Sequence, residues 1–243
     1  MIHDALVSQS SVDLDSLGNI WMKDFSKEQA LTFKTGGFFS SWFSYSKRIK
    51  LISLNTLYYF KNNVLAESCK SNSSPGSIQL EWLESELKDV QNKESKALII
   101  GHIPPLKIFY HENCLDKLLN LFNKYSTIIS FQAYGHLHID DFFILMHTEV
   151  PISVALISPA LSPVFNPSCR IYKVDENDGS LLDYDQFYAP LNTATFDFIK
   201  EYSFKEAFGR GPLTLEYFIN VKLHESKNSS LRIQRKRYRK VRY

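Results

Sequence analysis

The sequence predicts a mixed α/β fold, and three observations support that prediction. Between residues 48 and 134, apolar runs of strand length alternate with two segments whose apolar residues recur every three or four positions. This strand–helix–strand–helix–strand order is typical of a sheet that carries helices on its faces. After residue 140 the helical spacing stops and four short strand patterns follow. With 243 residues, 44% of them hydrophobic, the chain can bury one large core.

The first half of the chain carries the helices that would cover this sheet. Ser26 is placed to cap a short helix over Ser26–Phe33, and the aromatic-rich segment Phe38–Tyr45 is predicted to be extended. The apolar or alternating runs predict strands, and the three-to-four spacing predicts amphipathic helices. The predicted strands are Arg48–Asn55, Lys96–Ile100 and Thr127–Tyr134, and the predicted helices are Ser77–Asn92 and Glu112–Tyr125.

The second half is predicted to be mainly β-structure, followed by two helices. Turn residues separate the short strand patterns, and Asn177-Asp178-Gly179 marks a hairpin between the last two strands. The strands are predicted at Asp141–Met146, Ser153–Ile157, Arg170–Val174 and Leu181–Tyr188, and the helices at Thr195–Phe208 and Leu213–Leu223.

Charge is distributed unevenly along the chain. The formal net charge is +2, but the tail Leu231–Tyr243 holds seven lysines and arginines and no acid, which leaves the rest at about −5. The longest apolar stretch, Val150–Phe165, is interrupted by three prolines, which argues against a membrane span. Met1–Asp15 lacks the basic and then apolar layout of a secretory signal peptide.

Three histidines follow two predicted strands. His102 comes just after Lys96–Ile100, and His136 and His138 come just after Thr127–Tyr134. Residues two apart on a strand point the same way, so His136 and His138 are expected to be aimed at one place. Glycine precedes His102 and His136, which lets the backbone approach whatever binds there. The pattern predicts part of a metal site, whereas the alternative is a half-buried pair bonded to backbone.

Several motifs, in order along most of the chain, resemble the acid sphingomyelinase-like branch of the calcineurin-like metallophosphoesterases. The motifs are GGFF (36–39), ISLNT (52–56), QLEWL (79–83), GHIPP (101–105), YGHLHIDDF (134–142), SPALSPVFNPSCRIYKVD (158–175), LLDYDQFY (181–188) and EYSFKEAFG (201–209). The resemblance implies part of a calcineurin-like β-sandwich flanked by helices, with a small C-terminal helical subdomain. It places the later half of the catalytic domain at 1–190, the helical subdomain at 191–230 and a basic tail at 231–243.

The resemblance also implies a phosphodiester hydrolase with two metal ions, about 3.5–4 Å apart in such centres. His102 and His136 resemble ligands of one metal and His138 a ligand of the other, and zinc is the expected ion. The substrate would be sphingomyelin, cleaved to ceramide and phosphocholine, or a related phosphodiester.

The Asp-x-His, Gly-Asp and Gly-Asn-His motifs of the family do not occur in Met1–Lys34. Without their bridging carboxylate two cations would repel each other, so the chain alone is expected to be feeble or inactive.

Other residues have implied or alternative roles. The family has a cysteine at the position of Cys114, and Cys69 is the expected disulfide partner in an oxidising compartment. Asn55, Asp140 and Asp141 are candidates to support the metal ligands, although each is equally suited to bonding the backbone of a turn. Asn72 and Asn228 lie in sequons that permit glycosylation of a secreted protein.

The expected location is therefore secreted or lysosomal. The expected partner is a phospholipid or small phosphodiester, with no specific nucleic acid. The basic tail is either a solvated end or a contact for an anionic membrane surface. The alternatives to the sphingomyelinase type are an endopolyphosphatase-like hydrolase, which shares the GHxPP pattern, and a non-catalytic remnant of the fold.

Overall fold

A computed structural model of the chain describes residues 12–43, 48–162, 166–192 and 196–227. It confirms the α/β class. The larger sheet has six strands in the order β1-β2-β3-β4-β6-β5. Its strands are β1 (Phe39–Trp42), β2 (Ile49–Ser53), β3 (Lys96–Ile100), β4 (Ile129–Tyr134), β5 (Asp141–His147) and β6 (Val150–Ile157). The four central strands run parallel, and β1 and β5 are antiparallel edges.

A second, antiparallel sheet has the order β7-β8-β9, with β7 (Ser168–Val174), β8 (Leu181–Tyr188) and β9 (Ile199–Ser203). The hairpin predicted between β7 and β8 is confirmed. The helices of the described residues are α1 (Val12–Trp21), α2 (Lys27–Gly36), α3 (Pro75–Asn92), α4 (Glu112–Lys124), α5 (Phe204–Phe208) and α6 (Leu215–Lys227). A short 3-10 helix spans Thr56–Tyr58.

The larger sheet is covered on both faces. Helices α3 and α4 bury Leu83, Leu87, Leu118 and Phe122 in a core on one face, because the apolar residues of each helix fall on a single side. On the other face, Leu98 of β3 packs in a second core with residues of β8, β9 and α6. Neighbouring residues of β3 therefore enter different cores, which explains why β3 is apolar from Ala97 to Ile100. The two stacked sheets form the expected sandwich.

Local signals also explain the helix starts. The hydroxyl of Ser26 accepts the main-chain N–H of Gln29, and the Gln29 side chain accepts the N–H of Ser26, so α2 begins with a complete capping box. Ser74 caps α3, with Pro75 in its first turn. Helix α1 was not predicted, since the first 34 residues show no clear period.

The helix predicted over Thr195–Phe208 is wrong for most of its length. Within the described residues of that segment, Ile199–Ser203 is strand β9 and only Phe204–Phe208 is helical. Pairing with β8 supplies hydrogen bonds and buries Tyr202, and this tertiary gain outweighs the local helical pattern. The predicted division after residue 190 stays a prediction, although β9 shows that the later segment contributes a strand to the second sheet.

Among the described residues, no helix combines the length and apolar character that a membrane span requires. The tail 231–243 lies outside the described residues, and its predicted role stays a prediction.

Candidate metal centre

His102 and His136 lie together at one edge of the larger sheet. Strands β3 and β4 are parallel neighbours, so their carboxyl ends reach the same edge, and each histidine follows its strand by two residues. The ring centroids are 5.3 Å apart and the ring planes are nearly perpendicular, at 84°. The main-chain N–H of Gly135 donates to the carbonyl of His102 at 2.9 Å, which ties the two loops together. Two of the three histidines whose approach was predicted are therefore neighbours, and their role as metal ligands stays a prediction.

Two aromatic rings stand against His136, and sequence reasoning did not identify them. The ring of Phe109 is perpendicular to the imidazole at a centroid distance of 4.8 Å, and Phe60 meets it at 5.5 Å. Their loops are joined because the N–H of Lys61 donates to the carbonyl of Phe109 at 2.9 Å. Nothing in the local sequence separates these phenylalanines from core residues. The aromatic wall is a product of the tertiary structure.

His138 is placed differently from the prediction. Strand β4 ends at Tyr134, so the alternation of side chains along a strand does not govern His136 and His138. Both residues instead have left-handed backbone conformations, with φ of 66° and 54°. Within the part of the chain that the structure describes, no three His, Cys, Asp or Glu residues are grouped so that they could hold a metal ion. The role of His138 as a metal ligand therefore stays a prediction.

The two aspartates that follow the histidines are both buried and engaged elsewhere. Asp140 accepts hydrogen bonds from the Arg170 guanidinium and from the Tyr202 hydroxyl, one at each carboxylate oxygen. Asp141 begins β5, and its Oδ1 accepts the main-chain N–H of Phe142 at 2.8 Å. This bond to the backbone is of the kind that the alternative describes, and the supporting role of Asp141 stays a prediction. Arg170 and Tyr202 were not predicted, because they lie 30 and 62 residues from Asp140.

Asn55 also bonds to backbone. Its amide group donates to the carbonyl of Gly36 at 3.0 Å, and its Oδ1 accepts the N–H of Leu57 at 3.3 Å, where it caps the 3-10 helix. Two further bonds join its main chain to the buried side chain of Gln79. This geometry matches the turn-bonding alternative for Asn55.

The donors of the described residues fit only part of a two-metal centre. His102 and His136 offer two imidazole nitrogens, which suit zinc or another divalent transition metal. Asp140, the nearest carboxylate in sequence to the loop, is held by a buried arginine. A pair of cations needs a carboxylate between them to offset their repulsion. The described residues therefore place two imidazoles together and do not complete a site for two cations.

The predicted disulfide is present. The sulfur atoms of Cys69 and Cys114 are 2.06 Å apart, so the bond joins the loop before α3 to the first turn of α4. Cys169 is free and half-buried. Asn72 is exposed, as a glycosylation acceptor must be, whereas Asn228 lies outside the described residues.

No protein-family model matches the chain. It is 31% identical over 211 residues to the human cyclic GMP-AMP phosphodiesterase SMPDL3A, covering 79% of this chain and 45% of that protein. It is 30% identical over 220 residues to sphingomyelinase phosphodiesterase C of Dictyostelium discoideum, covering 80% and 48%. It is 32% identical over 163 residues to an endopolyphosphatase of Neurospora crassa, covering 64% and 22%.

The chain spans about half the length of the first two of these relatives. The phosphodiesterase relatives, the motifs that carry the resemblance and the two-sheet fold agree on one assignment. The chain belongs to the acid sphingomyelinase-like phosphodiesterases, a branch of the calcineurin-like metallophosphoesterases.

Proposed function

We propose that this chain is the later half of a metal-dependent phosphodiester hydrolase of the acid sphingomyelinase-like kind. The single observation that carries the proposal is the approach of His102 and His136, whose rings are 5.3 Å apart at the carboxyl ends of neighbouring parallel strands. In this proposal both imidazoles bind one zinc ion, and His138 contributes to a second. The substrate is sphingomyelin or a related phosphodiester.

The chain's own residues would hold and shield the cation. When bound, zinc would supply Lewis-acid chemistry to a phosphate ester. Thr56 fixes the loop of His102, because its hydroxyl accepts the N–H of Ile103 at 2.9 Å. Phe60 and Phe109 pack edge-to-face against the His136 ring. Since no carboxylate joins the two histidines in the described residues, the chain by itself is expected to hydrolyse feebly.

Two further readings have support of their own. The match to an endopolyphosphatase favours a hydrolase that acts on polyphosphate. The incomplete donor set within the described residues favours a non-catalytic remnant of the fold. We propose a secreted or lysosomal location, since the Cys69–Cys114 disulfide needs an oxidising compartment to persist.

The test is zinc titration of the full metal-free chain by calorimetry, with His136→Ala as the variant. His147→Ala is the matched control, because His147 lies at the far end of β5 and bonds Asn120 at 2.6 Å. Loss of a ligand should weaken zinc binding by about 100-fold or more, beyond the range typical of supporting residues. His147→Ala should leave the affinity unchanged. Equal binding by all three proteins, or no binding by the unaltered chain, contradicts the proposal.

Hydrolysis separates the candidate substrates. The zinc-loaded chain is assayed with sphingomyelin, a chromogenic phosphodiester and long-chain polyphosphate. Weak diester cleavage that His136→Ala abolishes supports the proposed function, and cleavage of polyphosphate alone supports the endopolyphosphatase reading. Zinc binding without any cleavage supports the remnant.

A further inference from the structure

A buried charge cluster lies next to the histidine loop, the segment 135–140 between β4 and β5. The Arg170 side chain is 1% exposed and that of Asp140 is 4% exposed, and the two form an ion pair. Arg170 Nε also donates to Gln186 Oε1 at 3.0 Å, and its guanidinium stacks on the ring of Tyr184 at 4.1 Å. Tyr202 donates to the second oxygen of Asp140. A buried pair of this kind is very sensitive to the loss of one partner.

The cluster connects the two sheets. Arg170 comes from β7, Gln186 from β8 and Tyr202 from β9, so every strand of the second sheet contributes a side chain. Asp140 lies just outside the larger sheet, because it directly precedes β5 and follows His138 by two residues. The carboxylate is therefore the point at which the second sheet holds the end of the histidine loop.

The loop needs such an anchor because its backbone is strained. His136 and His138 both have positive φ angles, 66° and 54°, in a region that residues with a side chain seldom occupy. At its start the loop is held by the bond from Gly135 to the His102 carbonyl, and in the middle Leu137 and Ile139 pack on the first core. At its end, Arg170 and Tyr202 hold Asp140.

We propose that Arg170, together with Tyr202, is a positioning residue for His136 and His138. Its bond to Asp140 fixes the end of the loop, and this holds His136 and His138 in the backbone conformation that the structure shows. That this positioning serves metal binding rests on the proposed function. The arrangement of the loop in the metal-free chain can be measured independently.

The main test is the double variant Arg170→Met/Asp140→Asn, which removes both charges so that neither is left buried alone. Histidine ring signals are followed by NMR in the metal-free full chain, and zinc affinity is measured by calorimetry. The ring signals of His136 and His138 should shift or broaden, while those of His147 stay in place. The zinc dissociation constant should rise by about tenfold or more, as for other residues that orient metal ligands.

Two further variants keep the test decisive. Tyr202→Phe removes only one hydroxyl and should produce a smaller change of the same kind even if the double variant does not fold. Lys50→Met removes another buried cation, which pairs with Glu86 and Asp89 of α3. It should lower stability without changing the ring signals or zinc affinity.

The inference is overturned if the ring signals of His136 and His138 stay unchanged in folded Arg170 or Tyr202 variants. It is also overturned if Lys50→Met changes them equally. A chain that binds no zinc contradicts the proposed function, but the ring signals still decide whether Arg170 positions the loop.

Discussion

Thr56 and Ile103 are joined by a hydrogen bond of 2.9 Å, in which the Thr56 hydroxyl accepts the main-chain N–H of Ile103. Thr56 is 1% exposed, and Ile103 directly follows His102. The position of His102 therefore depends on a side chain 46 residues earlier, on the 3-10 helix after β2. Because Thr56 also lies against Gly101, the residue before His102, adding a side chain at Gly101 should disturb this contact.

Gly101→Ala should destabilise the protein. A Cβ atom at residue 101 would lie 2.6 Å from Cγ2 of Thr56 and 3.0 Å from Cε1 of Tyr134, and both side chains are buried. Overpacking of this kind typically costs about 1–3 kcal/mol. Gly135→Ala is the control, because its Cβ would meet His102 Nδ1 at an ordinary 3.6 Å. Urea unfolding should show a loss within about 0.5 kcal/mol for the control. Equal losses would contradict the account of these two glycines.

Loss of the disulfide should lower stability substantially. Cys69 and Cys114 are 45 residues apart in sequence, and closing a loop of this length in the unfolded chain corresponds to about 4 kcal/mol in the chain-entropy model. Cys69→Ala/Cys114→Ala should therefore unfold at a markedly lower urea concentration. Cys169→Ala should change the midpoint little, because Cys169 is free and half-buried. Retention of the full midpoint by the double variant would refute this prediction.

Asp185 should contribute a pH-dependent part of the stability. Burial alone would raise the pKa of this carboxyl, but bonds from Lys173, Ser203 and Lys200 lower it from 3.8 to about 2. Because the folded pKa is below the unfolded value, the stabilisation is complete above about pH 4 and is lost as the pH falls towards 2. The two lysines are half-exposed, so solvent screening limits the contribution to about 1 kcal/mol.

The measurement is urea unfolding of the unaltered chain and Asp185→Asn between pH 2 and 7. The variant should be less stable at pH 7 and should lose less stability between pH 4 and pH 2. Asp116→Asn, on the exposed side of α4, is the control and should follow the unaltered chain. An Asp185→Asn curve parallel to that of the unaltered chain would rule out this role for Asp185.

Asn55→Ala should affect folding more than metal binding. It removes the cap of the 3-10 helix and the bond to the Gly36 carbonyl, and loss of such a cap costs about 0.5–2 kcal/mol. The zinc affinity of the folded variant, measured by calorimetry, should stay within about twofold of the unaltered chain, well below the tenfold typical of residues that orient ligands. A tenfold loss of zinc affinity would instead place Asn55 among the residues that support the metal ligands.

The strands and the two long helices could be predicted because their signals are local. The run Lys96–Ile100 carries apolar side chains on both faces of the sheet, and it is a strand with the predicted bounds. The spacing of Leu80, Leu83 and Leu87 predicts the buried face of α3. The approach of His102 and His136 could also be anticipated, since parallel neighbouring strands end at one edge. The strand at 199–203 could not be predicted, because pairing with β8 decides its conformation and the local sequence does not show that partner.

The sequence by itself determined the fold class, the family, the candidate histidines and the cysteine pair, because each depends on residue type and order along the chain. The tertiary structure alone decided the positive φ angles of His136 and His138. It also decided the contacts of Phe60 and Phe109 with His136, and the ion pair between Asp140 and Arg170. These features join residues far apart in sequence. Their energies arise from burial and packing, which exist only once the two sheets have come together.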